Sequence, residues 1–123
     1  MLFISIAISV IMAFAGFNDL GKVGEVVQKL QESSPLFLIY LLVVRVIAEE
    51  VFFRGFLVKR IGWVSATVLF GIAHVSYGSI TEIFGVLILG GLLAKAYLRN
   101  GNIVPNIVAH MFYNLIFVSF MLA

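Results

Sequence analysis

The chain has no cysteine. That excludes disulfides, a thiol nucleophile and thiolate metal ligands, and it leaves the redox compartment open. Charge is scarce as well. Eight Lys and Arg and six Asp and Glu make up 11% of 123 residues, against about 25% in an average soluble domain. The net charge is only +2, and the basic residues are scattered rather than interleaved with exposed aromatics. Nucleic-acid binding therefore has no support. There are no internal repeats and no low-complexity stretch. What is abundant is apolar: 63% of residues are hydrophobic, and the mean hydropathy is +1.16. A soluble domain of this size has too little interior to hide that much apolar surface. Lipid is the natural solvent, which predicts one integral membrane domain.

The first apolar run, Leu2 to Phe17, spans about 24 Å at 1.5 Å per residue, short of the roughly 30 Å hydrocarbon core. It fits a short membrane helix or the remnant of a longer parent chain. Ala13-Phe14-Ala15 resembles a signal-peptide cleavage site, but the positively charged n-region is missing. From Asp19 to Glu32, Val23, Val26, Val27 and Leu30 recur at helical spacing, with Lys22, Glu25, Gln28, Lys29 and Gln31 on the other face. This predicts an amphipathic helix at the membrane surface, with a solvated loop helix as the alternative.

Ser33-Ser34-Pro35 reads as a helix start, and a membrane helix follows from about Leu36 to Lys59. Arg60-Ile61-Gly62 makes a turn, and a short helix runs from Trp63 to Val75 and ends near Gly78. Ser79-Ile80-Thr81-Glu82 matches a capping box, in which Glu82 serves the cap, and opens a helix to about Leu98. Asn100-Gly101 stops it; Asn102 caps the last helix, with Pro105 in its first turn. If five helices cross, Lys59, Arg60, Lys95 and Arg99 share one side, against Lys22 and Lys29 on the other. The excess places the first side in the cytoplasm, with the N-terminus inside and the C-terminus outside.

Most charges sit at helix ends, but Arg45, Glu49, Glu50, Arg54, His74, His110 and Asn114 do not. An ionisable residue at bilayer depth costs at least about 2.5 kcal/mol and marks a functional site by default. Measured from the basic side, Glu49 lies roughly 15 Å in, His74 roughly 18 Å and His110 roughly 12 Å, with Asn114 about 6 Å deeper. Three helices thus bring a carboxylate and two imidazoles to one level. His110 and Asn114 are four apart and share a face; Glu50 with Arg54, and Arg45 with Glu49, have the spacing of ion pairs. Arg45 reads as a pairing or lipid-anchoring residue rather than a chemical one. Glu49 and Glu50 are about 100° apart, so only one is expected to face a reacting centre.

Peptide hydrolysis needs an activated water and donors aimed at a developing oxyanion. A Glu supplies the base, and imidazole and carboxamide groups supply donors. No Ser, Cys or Asp stands where a covalent mechanism needs it. Glu49, His74 and His110 could also form a His₂Glu zinc site with an open position. HExxH is absent, however, and Asn is a poor zinc ligand. A metal-free glutamate mechanism and a zinc mechanism both stay open.

These residues also resemble a family pattern. Glu49-Glu50-Val51-Phe52-Phe53-Arg54-Gly55 looks like the EExxxR motif of the CAAX protease and bacteriocin-processing (CPBP, or Abi) family. Phe70 to His74 resembles its FxxxH motif, and His110 to Asn114 its HxxxN motif. The three occur in family order on separate apolar segments, over roughly Leu36 to Phe117. The resemblance implies a glutamate-dependent intramembrane endopeptidase. In type II CAAX prenyl endopeptidases, such an enzyme removes the residues that follow a prenylated cysteine. It implies Glu49 as general base, His74 holding the attacking water, His110 and Asn114 stabilising the oxyanion, and Glu50 and Arg54 orienting Glu49. Family members usually carry more helices than this chain.

The expectation is thus an all-α, multi-pass bundle of four to five membrane helices plus one interfacial amphipathic helix, located in the cell membrane. Residues 1–34 would form the short apolar and interfacial helices, and residues 35–123 the catalytic core. The expected partners are the lipid bilayer and membrane-associated protein or peptide substrates, prenylated ones included. The alternatives are a processing protease for unprenylated peptides and a non-catalytic membrane subunit with a proton or ion site.

Overall fold

A computed structural model describes residues 2–123, with side chains from residue 7 onward; the side chains at the start of the first apolar run lie outside the described residues. Every regular element among them is helical. Helix α1 is Leu2–Phe14 and α2 is Gly21–Ser33. The chain is then helical from residue 35 to residue 61, a stretch called α3 here. Within it Leu41–Arg45 and Glu50–Leu57 are wound as wide π-helix, separated by the α-helical Val46–Glu49. Residues 63–72 form α4, followed by a 3₁₀ turn, Val75–Tyr77. The long helices α5, Ile80–Asn100, and α6, Val104–Leu122, complete the bundle.

The boundaries follow from local chemistry. The Ser34 hydroxyl accepts from the Phe37 amide at 3.3 Å, and Pro35 occupies the first turn of α3. Gly101, at φ 66°, ends α5 by donating to the Tyr97 carbonyl at 2.8 Å. Asn102 stands one residue further out than expected: its side chain accepts from the Val104 amide at 3.0 Å, while Ile103 takes the cap position without a side-chain bond. Between α3 and α4, Gly62 adopts φ 83° and ψ 161°, a region essentially closed to residues with a side chain. A Cβ there would meet nothing within 4 Å. Gly62→Ala should therefore destabilise the bundle through backbone strain alone, by about 1–3 kcal/mol, read as a lowered unfolding midpoint in detergent.

Two helices, α5 and α6, are long and apolar enough to cross a membrane, rather than the four to five expected. Helix α4 is too short to span, and α1 covers about 20 Å. The winding of α3 alternates between π and α and so offers no single continuous α-helix. Only 11% of the most apolar window of α6 is buried in the protein. Val108, Phe112 and Leu115 on α6 and Val64 and Val68 on α4 all point outward. A continuous apolar exterior of this kind is made for lipid.

The interior is the reverse. The largest fully buried side chains are Arg54 and Glu50. A small apolar core of Val58, Ala66, Ala94 and Tyr97 lies at one end. The basic residues gather there too: Lys59 lies 5.5 Å over the Tyr97 ring and Lys95 4.6 Å over Trp63. The amphipathic helix α2 does not lay its apolar stripe on lipid alone. Val23 and Val27 are buried, and α2 packs on the start of α3 and on α6. The bundle offers that stripe a protein surface that the sequence could not show.

At the opposite end, Asp19 caps α5. Its carboxylate accepts from the Ser79 hydroxyl at 3.0 Å, the Ile80 amide at 2.5 Å and the Thr81 amide at 3.3 Å. The Thr81 hydroxyl lies nearby without an aligned hydrogen bond, so its pull is electrostatic. Desolvation raises the Asp19 pKa, but these donors outweigh it and bring the group from 3.8 to about 2. Because the folded value is the lower one, the cap contributes fully above about pH 4, and the contribution is lost as pH falls through about 2. Asp19→Asn should cost about 1 kcal/mol at neutral pH and flatten the acid limb of the stability curve.

Candidate active site

Two ion pairs on α3 organise the interior. Arg54 Nη1 lies 3.0 Å from Glu50 Oε1, with side-chain exposures of 2% and 0%. The contact is ionic rather than an aligned hydrogen bond, since Nη1 has no aligned acceptor among the described residues. The guanidinium also stacks 4.2 Å over Phe70, and Nη2 donates to the Gly90 carbonyl at 3.4 Å. Gly90 permits this approach: a Cβ there would come 3.0 Å from the Phe70 ring and 3.3 Å from Arg54 Nη2. One turn earlier, Arg45 Nε holds Glu49 Oε1 at 2.6 Å, and Arg45 Nη1 donates to the Tyr77 hydroxyl.

Both acids meet one imidazole. His110 Nδ1 donates to Glu50 Oε1 at 2.7 Å, while His110 Nε2 lies 3.9 Å from Glu49 Oε2. The helical angle predicted that only one of the two carboxylates would face the centre. The ring overcomes that angle because its two nitrogens lie on different edges. The pairing also differs from the roles implied by the family pattern. Glu50 touches His110 rather than Glu49, Arg54 pairs with Glu50, and it is Arg45 that holds Glu49. Two carboxylates against two guanidiniums leave the cluster, fully buried at Glu50 and Arg54 and half-buried at Arg45 and Glu49, neutral when His110 is neutral.

His74 lies between α4 and the 3₁₀ turn, where its Nδ1 donates to the Phe70 carbonyl at 2.8 Å. A carbonyl can only accept, so Nδ1 carries the proton and Nε2 is the edge left for the interior. Phe70 packs edge-on to both His74 and His110, with centroids 4.6 and 6.0 Å away. Asn106 was not anticipated from the sequence. It is 2% exposed, and its amide donates to the Leu93 carbonyl at 2.7 Å and to Glu50 Oε2 at 3.4 Å. The available signal was its spacing: 106, 110 and 114 repeat every four residues and form one stripe on α6.

Two small cavities adjoin this cluster. One, about 70 Å³, includes His74, His110, Glu82 and Asn114 in its walls. The other, about 90 Å³, reaches from Arg45, Glu49 and Tyr77 between α2, α3 and α6 along apolar side chains such as Leu38 and Leu42. His74, Glu82, Asn114 and Phe117 border both. Each cavity has room for several waters. Glu82 corrects the capping-box reading. Its amide bonds the Ser79 hydroxyl at 3.1 Å, but the residue lines both cavities and its carboxylate makes no hydrogen bond back to Ser79 among the described residues.

Glu49, His74 and His110 do not converge as a ligand set: no group of three His or carboxylate side chains among the described residues stands ready to hold a metal. No step below is routed through a metal.

Glu49 and Glu50, Arg45 and Arg54, and the His110 ring thus meet inside a helical bundle with an apolar exterior. Residues 31–116 match the family model described as type II CAAX prenyl endopeptidase Rce1-like, and the chain belongs to that family. The matched segment contains Glu49, Glu50, Arg54, His74, His110 and Asn114. The family is one of membrane proteases. No curated protein and no solved structure matches the chain.

Proposed function

We propose that this chain is an intramembrane endopeptidase that hydrolyses membrane-associated, CAAX-type substrates with water activated by Glu49. The observation that carries this reading is the 3.9 Å gap between Glu49 Oε2 and His110 Nε2. A water bonded to both at about 2.8 Å bridges that gap with ordinary geometry. Glu50 fixes the His110 proton on Nδ1, so Nε2 accepts. The water then donates to both groups and turns a lone pair toward the substrate carbonyl. Glu49 takes the proton as the carbon–oxygen bond forms. The Asn114 amide, on the next turn of α6, supplies a donor for the oxyanion. His110 thus acts on the water side of the reaction, and His74 offers Nε2 at the cavity junction as a proton acceptor.

Residues 35–123 carry these groups, and residues 1–34 supply a wall: Ile8 and Leu20 border one cavity, Val23 and Val27 the other. At 1.5 Å per residue α3 is roughly 40 Å long; in this reading it crosses the bilayer with α5 and α6. The protein is then multi-pass, with its apolar slot open to lipid-borne chains. The test is cleavage in reconstituted vesicles, with matched prenylated and unprenylated peptides offered to the wild type. Preference for the prenylated peptide is the expected result. Equal cleavage of both would favour a processing protease for unprenylated peptides, and cleavage of neither would refute the enzyme.

A further inference from the structure

We infer that Glu82, outside all three motifs, is a second catalytic carboxyl group, which donates the proton that the leaving amine needs. The inference rests on the proposed hydrolytic reading and extends it to the second half of the reaction. Its basis is where the cavities meet. Glu49 borders only one cavity and His110 only the other, whereas His74, Glu82 and Asn114 border both. A bond being cut between Glu49 and His110 lies at that junction, and Glu82 is the acid facing it from α5.

The two acids are held differently. Glu49 is fastened to Arg45 at 2.6 Å through one oxygen and faces His110 with the other. The Glu82 carboxylate has no hydrogen-bond or ion-pair partner among the described residues, although Arg45, Glu49 and His74 share its cavity. A carboxyl group in the first turn of α5 that lines two mainly apolar cavities without a partner is costly to keep, so a purely structural role leaves it unexplained. Asp19 and Ser79 bond the Ile80, Thr81 and Glu82 amides, and the Glu82 side chain makes no bond at the start of α5 among the described residues.

The step balances. Water adds hydroxide to the carbonyl carbon and gives its proton to Glu49. As the carbon–nitrogen bond breaks, the Glu82 carboxyl group protonates the amine. Glu49 returns its proton to Glu82 through His74 Nε2 or a cavity water, which restores both groups.

An amine leaving group needs that proton, while an alkoxide of low basicity leaves without it. The test compares a peptide with the matching ester of an acidic alcohol, in reconstituted vesicles, for wild type, Glu82→Gln, Glu82→Asp and Glu49→Gln. Glu82→Gln should lose about a hundredfold or more of its peptide kcat, hold ester hydrolysis within about threefold, and regain part of the peptide rate as Glu82→Asp. Equal loss on both substrates would make Glu82 structural, and no loss on either would make it a bystander; each overturns the inference. Glu49→Gln should lose both activities. If it keeps both, the general-base assignment fails while the Glu82 comparison still decides the proton donor. A wild type that cleaves neither substrate ends both claims.

Discussion

Glu49→Gln should leave a folded protein that cleaves its peptide about 10²–10⁴-fold more slowly, with the loss in kcat rather than KM. The amide is nearly isosteric with the carboxylate and can still hold a water beside His110 Nε2, but it cannot take the proton. The competing effect is on stability, because Arg45 loses its anion. That pair is partly open to the cavity, with side-chain exposures of 32% and 14%. Arg45 also keeps the Tyr77 hydroxyl and lies 5.7 Å from that ring. Pairs of this kind are worth roughly 1 kcal/mol or less, so the kinetic effect dominates. Single-turnover cleavage measured beside a thermal melt separates the two. A variant that cleaves within tenfold of wild type would remove Glu49 from the role of base.

Arg54→Met should be the most destabilising single change in the site, by about 3–5 kcal/mol. It strands Glu50, which is fully buried, without its cation. It also removes the guanidinium from the Phe70 face and from the Gly90 carbonyl. Against a usual total stability of roughly 5–15 kcal/mol, such a loss brings the bundle close to unfolding. The double change Glu50→Gln with Arg54→Met should recover much of the stability, because a buried pair replaced on both sides leaves no uncompensated charge. Its catalysis should not recover: His110 would lose the carboxylate that holds the Nδ1 proton. Chemical unfolding of the single and double variants decides this. An Arg54→Met protein within 1 kcal/mol of wild type would show that water reaches Glu50.

The helical class and the gathering of Glu49, His74 and His110 were legible in the sequence, because membrane depth follows from counting residues at a fixed rise. The pairings were legible only in part. Spacing of four correctly matched Arg45 with Glu49 and Arg54 with Glu50. It could not say that Glu50 turns to His110, since that contact joins residues 60 apart. Asn106 follows Pro105 in the first turn of α6, and its value lies in bonding Leu93 and Glu50 across the bundle. Glu82 fitted a capping box by type and spacing, and its amide does bond Ser79, yet the carboxylate that binds the start of α5 is that of Asp19, more than 60 residues away. Local rules find the partner a residue can have nearby, not the one the fold brings to it. Two of the four to five membrane helices expected are long and apolar enough on their own, and hydropathy registers apolar length but not how the backbone of α3 winds.

That winding carries one more implication. Glu49 closes an α-wound stretch, and Glu50 opens a π-wound one that runs through Arg54 to Leu57. A π turn holds an extra residue beyond the α turn, so the stretch stores a length as well as a composition. Removing one residue between 50 and 57 would let the backbone relax into its preferred winding. A deletion in an α-wound part of α3, which has no extra residue to give up, would instead rotate everything downstream by about 100°. Gly62, the basic end and His74 would all turn away from their present neighbours. Variants made by exchange and variants made by deletion should therefore behave very differently here, and residue number in this segment is as much a part of the site as residue type.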